Sequence, residues 1–178
     1  MFDKKTYKLN AGNEIITVET GEVARQAGGS VLISKGDTTL LVTATRSKDV
    51  KEGQDFFPLT VDYIEKFYST GKFPGGFIKR ESKPSTEEVL ISRLIDRPIR
   101  PLFPEGFFNG VHIVVNVISF DGVNMPEDIA TVGVSFALGL SDIPFAGPVA
   151  GVTVGYINGE YILNTKGEDR ENTKIYLS

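Results

Sequence analysis

The side chains best suited to chemistry are concentrated between residues 65 and 100. Phe77, Lys79 and Arg80 stand in the run Lys66-Phe67-Tyr68-Ser69-Thr70-Gly71-Lys72-Phe73-Pro74-Gly75-Gly76-Phe77-Ile78-Lys79-Arg80, where basic and aromatic residues alternate around three glycines and a proline. Arg93 and Arg97 follow at a helical i, i+4 spacing, with Arg100 just beyond. A guanidinium fork matches two phosphate oxygens at once. An aromatic face stacks on an unpaired base, worth about 1–3 kcal/mol per base whatever its identity. The combination suits a flexible polyanion whose bases are unpaired. The same residues admit a plainer reading, in which Phe77 and Ile78 are buried to hold the loop down and the arginines are a solvated helix face. The residues alone leave both open.

Other chemistries are poorly provided for. With no cysteine there is no thiolate nucleophile, disulfide or Cys-bound zinc. His112, the single histidine, lies in an apolar run and reads as a packed side chain rather than a base or metal ligand. Gly71-Lys72 is followed by Phe73 and lacks the glycine spacing of a nucleotide-binding P-loop. The pairs Glu87/Glu88, Glu127/Asp128 and Glu168/Asp169 read as helix starts or solvated loop, without the spacing of a dedicated metal site.

The chain has 178 residues, a formal net charge of −4 and 40% hydrophobic residues, enough for one domain with its own core. Its charge is unevenly spread. Residues 65–100 carry eight positive and five negative side chains, or +3, which leaves −7 on the other 142 residues. A basic stripe on an acidic body guides a polyanion to one place rather than binding it everywhere. No apolar run approaches 18 residues, and the Met1-Phe2-Asp3-Lys4 start has no signal or transit character. The expectation is a cytoplasmic protein with no membrane contact.

The elements that must position these residues are legible in outline. Lys8-Leu9 and Ile15 to Glu19 flank Asn10-Ala11-Gly12-Asn13, a hairpin turn. Ser30 to Ser34 and Thr38 to Thr45 form a second pair, and Leu59 to Tyr63 a short strand. Residues 66–84 read as an exposed loop of the length that usually carries function. Ser85-Thr86-Glu87-Glu88 is a capping box opening a helix with an apolar stripe of Val89, Leu90, Ile91, Leu94 and Ile95, stopped near Pro98. Val111 to Phe120 reads as a strand covered on both faces. A second helix starts near Asn124, with Pro126 early and Gly133, Ala137 and Gly139 allowing close helix–sheet packing. Val149 to Tyr156 and Glu160 to Leu163 flank the hairpin signal Asn158-Gly159, and Lys174 to Ser178 begins a further strand-like alternation that stops as though cut. The order gives an α+β, or mixed α/β, domain.

Four runs carry a resemblance: Gln54-Asp55-Phe56-Phe57-Pro58-Leu59-Thr60-Val61, Phe77 to Glu81, Asp96-Arg97-Pro98-Ile99-Arg100-Pro101-Leu102-Phe103-Pro104, and Ile143-Pro144-Phe145. In these the chain resembles the bacterial polynucleotide phosphorylases, from about residue 7 to its end. The resemblance implies a phosphorolytic 3′→5′ exoribonuclease, in which inorganic phosphate attacks the terminal RNA linkage and releases a nucleoside diphosphate. It implies residues 1–178 to be a single first ribonuclease-PH-like core, incomplete at its C-terminus, with a mixed sheet, two main helices and a left-handed βαβ crossover. In the longer family proteins a second core carries catalysis with Mg²⁺ and phosphate, the assembly is a homotrimeric ring, and an RNA-degradation complex is a further partner. The family's channel-facing block is Phe-Phe-Arg-Arg. Here it reads Phe77-Ile78-Lys79-Arg80, which keeps the charge but weakens stacking and bidentate grip. The residues implied to touch single-stranded RNA are Phe77, Lys79, Arg80, Arg93, Arg97 and Arg100. The places matching the second core's phosphate-cradling serines and Asp-x-Lys run, Gly122-Val123-Asn124 and Tyr176-Leu177-Ser178, lack both, so no catalytic residue and no metal are expected in this segment. Two alternatives accompany this reading: an independent ribonuclease-PH-type enzyme, and a ring module whose arginines serve subunit interfaces.

Overall fold

The computed structural model describes residues 3–11, 14–75, 77, 79–81, 83–167 and 172–178. In chain order these form β1 (Lys5–Ala11), β2 (Glu14–Thr20), β3 (Gly29–Lys35), β4 (Thr38–Arg46), β5 (Leu59–Glu65), α1 (Thr86–Ile99), β6 (Val111–Ser119), α2 (Pro126–Leu140), β7 (Val154–Ile157), β8 (Glu160–Leu163) and β9 (Tyr176–Leu177). Consecutive strands β1 to β4 pair antiparallel. Gly12 and Asn13, expected to turn the first hairpin, lie outside the described residues. β6 joins β4 antiparallel, and β5 runs parallel to β6 at the sheet's edge, giving the order β1-β2-β3-β4-β6-β5. Segment 66–110, which contains α1, is therefore the crossover between two parallel strands. A mixed sheet with two main helices is the α+β architecture expected.

One sheet face is the core. Val31 and Ile33 of β3, Leu40, Val42 and Ala44 of β4, Ile113, Val115 and Val117 of β6 and Tyr63 of β5 pair across the strands and are all buried. α2 packs on β3 and β4, and α1 on β5. α2 comes close because of Gly133, where a Cβ would stand 2.9 Å from Val42 Cγ2 and 3.0 Å from Ile33 Cγ2. Gly139, expected to serve in the same way, has open space around it; the second close approach is Gly29 of β3 against the Ala137 carbonyl.

Several expectations need correction. β6 is buried on one face only: Val111, Ile113, Val115 and Val117 are covered, while the alternate residues are exposed or half-buried. His112 accordingly is not a packed core residue. Its side chain is half exposed, and its Nε2 lies 2.7 Å from Asp62 Oδ2 on the open sheet face. The apolar stripe of α1 is narrower than its composition suggests. Ile91, Ile95 and Ile99 repeat every four residues and are buried, whereas Val89, Leu90 and Leu94 are rotated outward and exposed. The end of α1 does fall near Pro98 as expected: the helix closes at Ile99 and passes into a 3₁₀ turn over Arg100–Leu102.

β7, β8 and β9 form a separate sheet of order β8-β7-β9. Asn158 and Gly159, with φ of 51° and 93°, make the turn expected there. β7 begins at Val154, later than the apolar pattern suggests, because the preceding residues dock on α2. Val149 N–H donates to Ser135 Oγ, and Thr153 Oγ1 donates to Asp128 Oδ1 at 2.8 Å.

Gly133→Val places two methyl groups where the structure has no room for one. Urea unfolding is expected to show a loss of about 1–3 kcal/mol, whereas the same change at the uncrowded Gly139 avoids this overlap.

Candidate nucleic-acid interface

The side-chain ties described for the loop after β5 lie at its base. Residues Phe67–Thr70 form a 3₁₀ turn that Gly71 ends in the left-handed conformation, φ 71°. Phe120 N–H donates to the Ser69 carbonyl, fastening this turn to the end of β6. At the far end of the loop, Glu81 returns to the same place: Lys66 Nζ lies 2.8 Å from its Oε2, and Phe67 N–H donates to its Oε1 at 3.1 Å. These contacts hold the Glu81 carboxyl below the usual carboxylate range, the Lys66 bond being the largest cause. The capping box then opens α1, with Glu88 N–H donating to Ser85 Oγ and Ser85 N–H to Glu88 Oε2. Glu88 Oε1 also accepts from Glu65 N–H at 2.8 Å, so the end of β5 and the start of α1 share one carboxylate.

Between these ties the aromatic rings face outward. Phe73 is 79% exposed and Phe77 wholly exposed, so Phe77 does not hold the loop down by burial. Ile78 lies outside the described residues. Lys79 adopts a positive φ of 50°, and Lys79 and Arg80 are both exposed without an ion pair to any described residue.

The helix arginines divide. Arg93 and Arg97 are exposed and likewise form no ion pair with a described residue. They point outward from α1 but line different grooves. Arg93 borders the one beside β5, with Asp62 and Pro84; Arg97 borders one with Glu127, Thr131, Val152 and Ser178. Arg100 is engaged internally. Its Nε and Nη2 lie 2.9 and 2.6 Å from the Asp96 carboxylate, and it donates to the carbonyls of Phe57 and Leu59. That grip fastens the end of α1 to the start of β5.

The proline-rich run that Arg100 belongs to serves packing. Phe57 packs at a tilt against Phe103 and Phe107, with ring centroids 4.7 and 5.6 Å away, and Phe145 reaches Phe103 at 5.6 Å. Three of the four distinctive sequence runs thus meet in one aromatic cluster.

Sequence reasoning missed two carboxylates that shape the region, Glu81 and Asp121. Asp121 sits ahead of α2. Its Oδ1 accepts from the backbone N–H groups of Val123 and Asn124, and its Oδ2 from Asn124 Nδ2 and Asp37 N–H. Burial works against its charge, but these donors outweigh burial and hold its carboxyl far below the normal range. The Asp-x-x-Asn spacing was the available signal. The amides of the turn before α2 therefore already carry an anion belonging to the protein itself. The pairs Glu87/Glu88 and Glu127/Asp128 do stand in first helical turns, while Glu168 and Asp169 lie outside the described residues. Among the described residues no three His, Asp or Glu side chains gather to hold a metal. No described helix is long and apolar enough to cross a membrane.

Comparison with known proteins decides the family. Residues 15–144 match the 3′ exoribonuclease family, domain 1, of the RNase PH type. The chain belongs to that family. A polyribonucleotide nucleotidyltransferase of Novosphingobium aromaticivorans is 53% identical over 166 residues, which cover 93% of this chain and 22% of the relative. The chain thus spans about a fifth of that relative's length. Among solved structures, rice (Oryza sativa) Rrp46 superposes with a TM-score of 0.64 at 15% identity, over 98% of this chain and 73% of that one, a likeness of fold. The RNase PH fold agrees with the mixed sheet and two helices described above.

Asp121 makes a direct test of the turn before α2. Asp121→Ala is expected to cost about 1–3 kcal/mol at pH 7, since several donors lose a charged acceptor. Because the native carboxyl is depressed, its contribution is complete above the unfolded value of about 4 and is lost as pH falls through the native value. Urea titrations at pH 7 and pH 3 are expected to show a smaller gap between variant and parent at pH 3.

Proposed function

We propose that this chain is the first-core segment of a phosphorolytic 3′→5′ exoribonuclease, and that it guides single-stranded RNA without itself cleaving it. The observation that carries this reading is the wholly exposed Phe77 ring beside Lys79 and Arg80, on a loop whose described side-chain ties lie at its base. Phe77 offers a base a stacking face, and the two cations take the flanking phosphates. Arg93 and Arg97 extend the basic surface along α1. Arg100 belongs to the same set by resemblance; its internal contacts give it the further task of holding β5 to α1. Residues 1–178 constitute one core, and the relative's greater length leaves room for a second.

The absence of catalysis in this segment is supported by Asp121. A phosphate at the turn before α2 would have to displace a carboxylate already bound to those amides, and would meet its charge. In this reading the whole enzyme's Mg²⁺ and inorganic phosphate bind outside the segment, and it works in the cytoplasm as a homotrimeric ring within an RNA-degradation complex. Asp121 also weighs against an independent single-core enzyme.

Incubating the chain with RNA, phosphate and Mg²⁺ is expected to release no nucleoside diphosphate; phosphate-dependent release from protein free of host nuclease would overturn the non-catalytic reading. In RNA titrations, Phe77→Ala is expected to weaken binding about tenfold. Lys79→Ala/Arg80→Ala is expected to lower the slope of log affinity against log salt by about 1.4, the value for two phosphate contacts to a single strand. Unchanged affinity and slope in both variants would remove RNA guidance by this loop.

A further inference from the structure

We infer that Glu81, an acidic residue within the basic segment, promotes RNA binding by positioning the loop. This inference rests on the loop's proposed contact with RNA. Three features of the structure lead to it. Glu81 closes the loop against its own start, through Lys66 Nζ at 2.8 Å and Phe67 N–H at 3.1 Å. The start is itself fastened to the sheet, by Lys66 N–H on the Val117 carbonyl and Phe120 N–H on the Ser69 carbonyl. Between Phe73 and Arg80, no described side chain makes an ion pair or side-chain hydrogen bond that would hold the tip. The Glu81 clamp is thus the described side-chain contact closest to Lys79 and Arg80, and it fixes where the chain leaves them.

The clamp also removes Lys66 from the surface available to phosphate, since its ammonium is held by a carboxylate with about a third of each side chain exposed. By charge alone, deleting Glu81 would strengthen binding: it removes one negative charge from a +3 segment and frees Lys66. Positioning predicts the opposite sign. A loop released at Glu81 must be ordered when RNA binds, and that lost ordering entropy weakens the complex. The sign of the effect therefore separates the two accounts.

The experiment compares the chain with Glu81→Ala, Glu81→Gln and Lys79→Ala/Arg80→Ala, using fluorescence anisotropy of a labelled single-stranded oligoadenylate. Trypsin cleavage after Lys72, Lys79 and Arg80 reports loop release without RNA. Glu81→Ala is expected to bind about threefold to tenfold more weakly and to be cut faster at those sites, with an unchanged unfolding midpoint for the core. Glu81→Gln, whose amide oxygen still accepts from Phe67 N–H, is expected to fall between. Tighter or unchanged RNA binding by Glu81→Ala, while Lys79→Ala/Arg80→Ala binds more weakly, would overturn the positioning role and leave the RNA loop standing. If Lys79→Ala/Arg80→Ala also binds normally, the RNA reading itself has failed, and cleavage unaltered in Glu81→Ala would remove the clamp independently.

Discussion

Because β5 and β6 run parallel, no tight turn can join them, and the chain must leave the sheet at Glu65 and return at Val111. Everything basic that distinguishes this protein is carried on that detour. The loop after β5, α1 and the 3₁₀ turn behind it are one crossover, and its placement at the sheet's edge brings its charges to the surface. The detour rests on β5 and β6, α1 packing on β5 and the first 3₁₀ turn on β6, while α2 covers β3 and β4. A crossover must satisfy its own backbone at both ends, and here that falls to side chains: Ser92 accepts from Tyr63 N–H, Glu88 from Glu65 N–H, and Arg100 donates to the carbonyls of Phe57 and Leu59. The outer edge of β5 is thereby tied to α1 along its length.

The acidic residues of this region are as informative as the basic ones. Glu81 and Glu88 set the ends of the loop, Asp96 holds Arg100, and Asp121 occupies the amides ahead of α2. Each carboxylate has a specific partner, while Lys79, Arg80, Arg93 and Arg97 pair with no described residue. The net charge of −4 is therefore a poor guide to the surface a polyanion meets: Glu81, Glu88 and Asp96 are built into the framework of the crossover, while Lys79, Arg80, Arg93 and Arg97 face solvent.

What could be read from the sequence follows from how local each signal is. The capping box at Ser85 and Glu88 and the Asn158-Gly159 turn need only neighbouring residues, and both formed as expected. Exposure is a tertiary property, and there the pattern misled: the Val- and Ile-rich β6 suggested two covered faces, yet both helices lie on one side and His112 stands on the other. The run from Asp96 to Pro104 carried much of the family resemblance because it is unusual. Much of it is unusual for packing reasons, through Phe103 in the aromatic cluster and Arg100 on the β5 carbonyls. The Glu81 clamp spans 15 residues and had no short-range signature, whereas Asp121, also missed, had one in the nearby Asn124.

Hydrogen exchange of the chain with and without single-stranded RNA tests the account most directly. The account predicts slowed exchange over residues 66–81 and the exposed flank of α1 around Arg93 and Arg97, with no change at residues 121–126. Protection centred on the turn before α2, with the crossover loop unaffected, would contradict it.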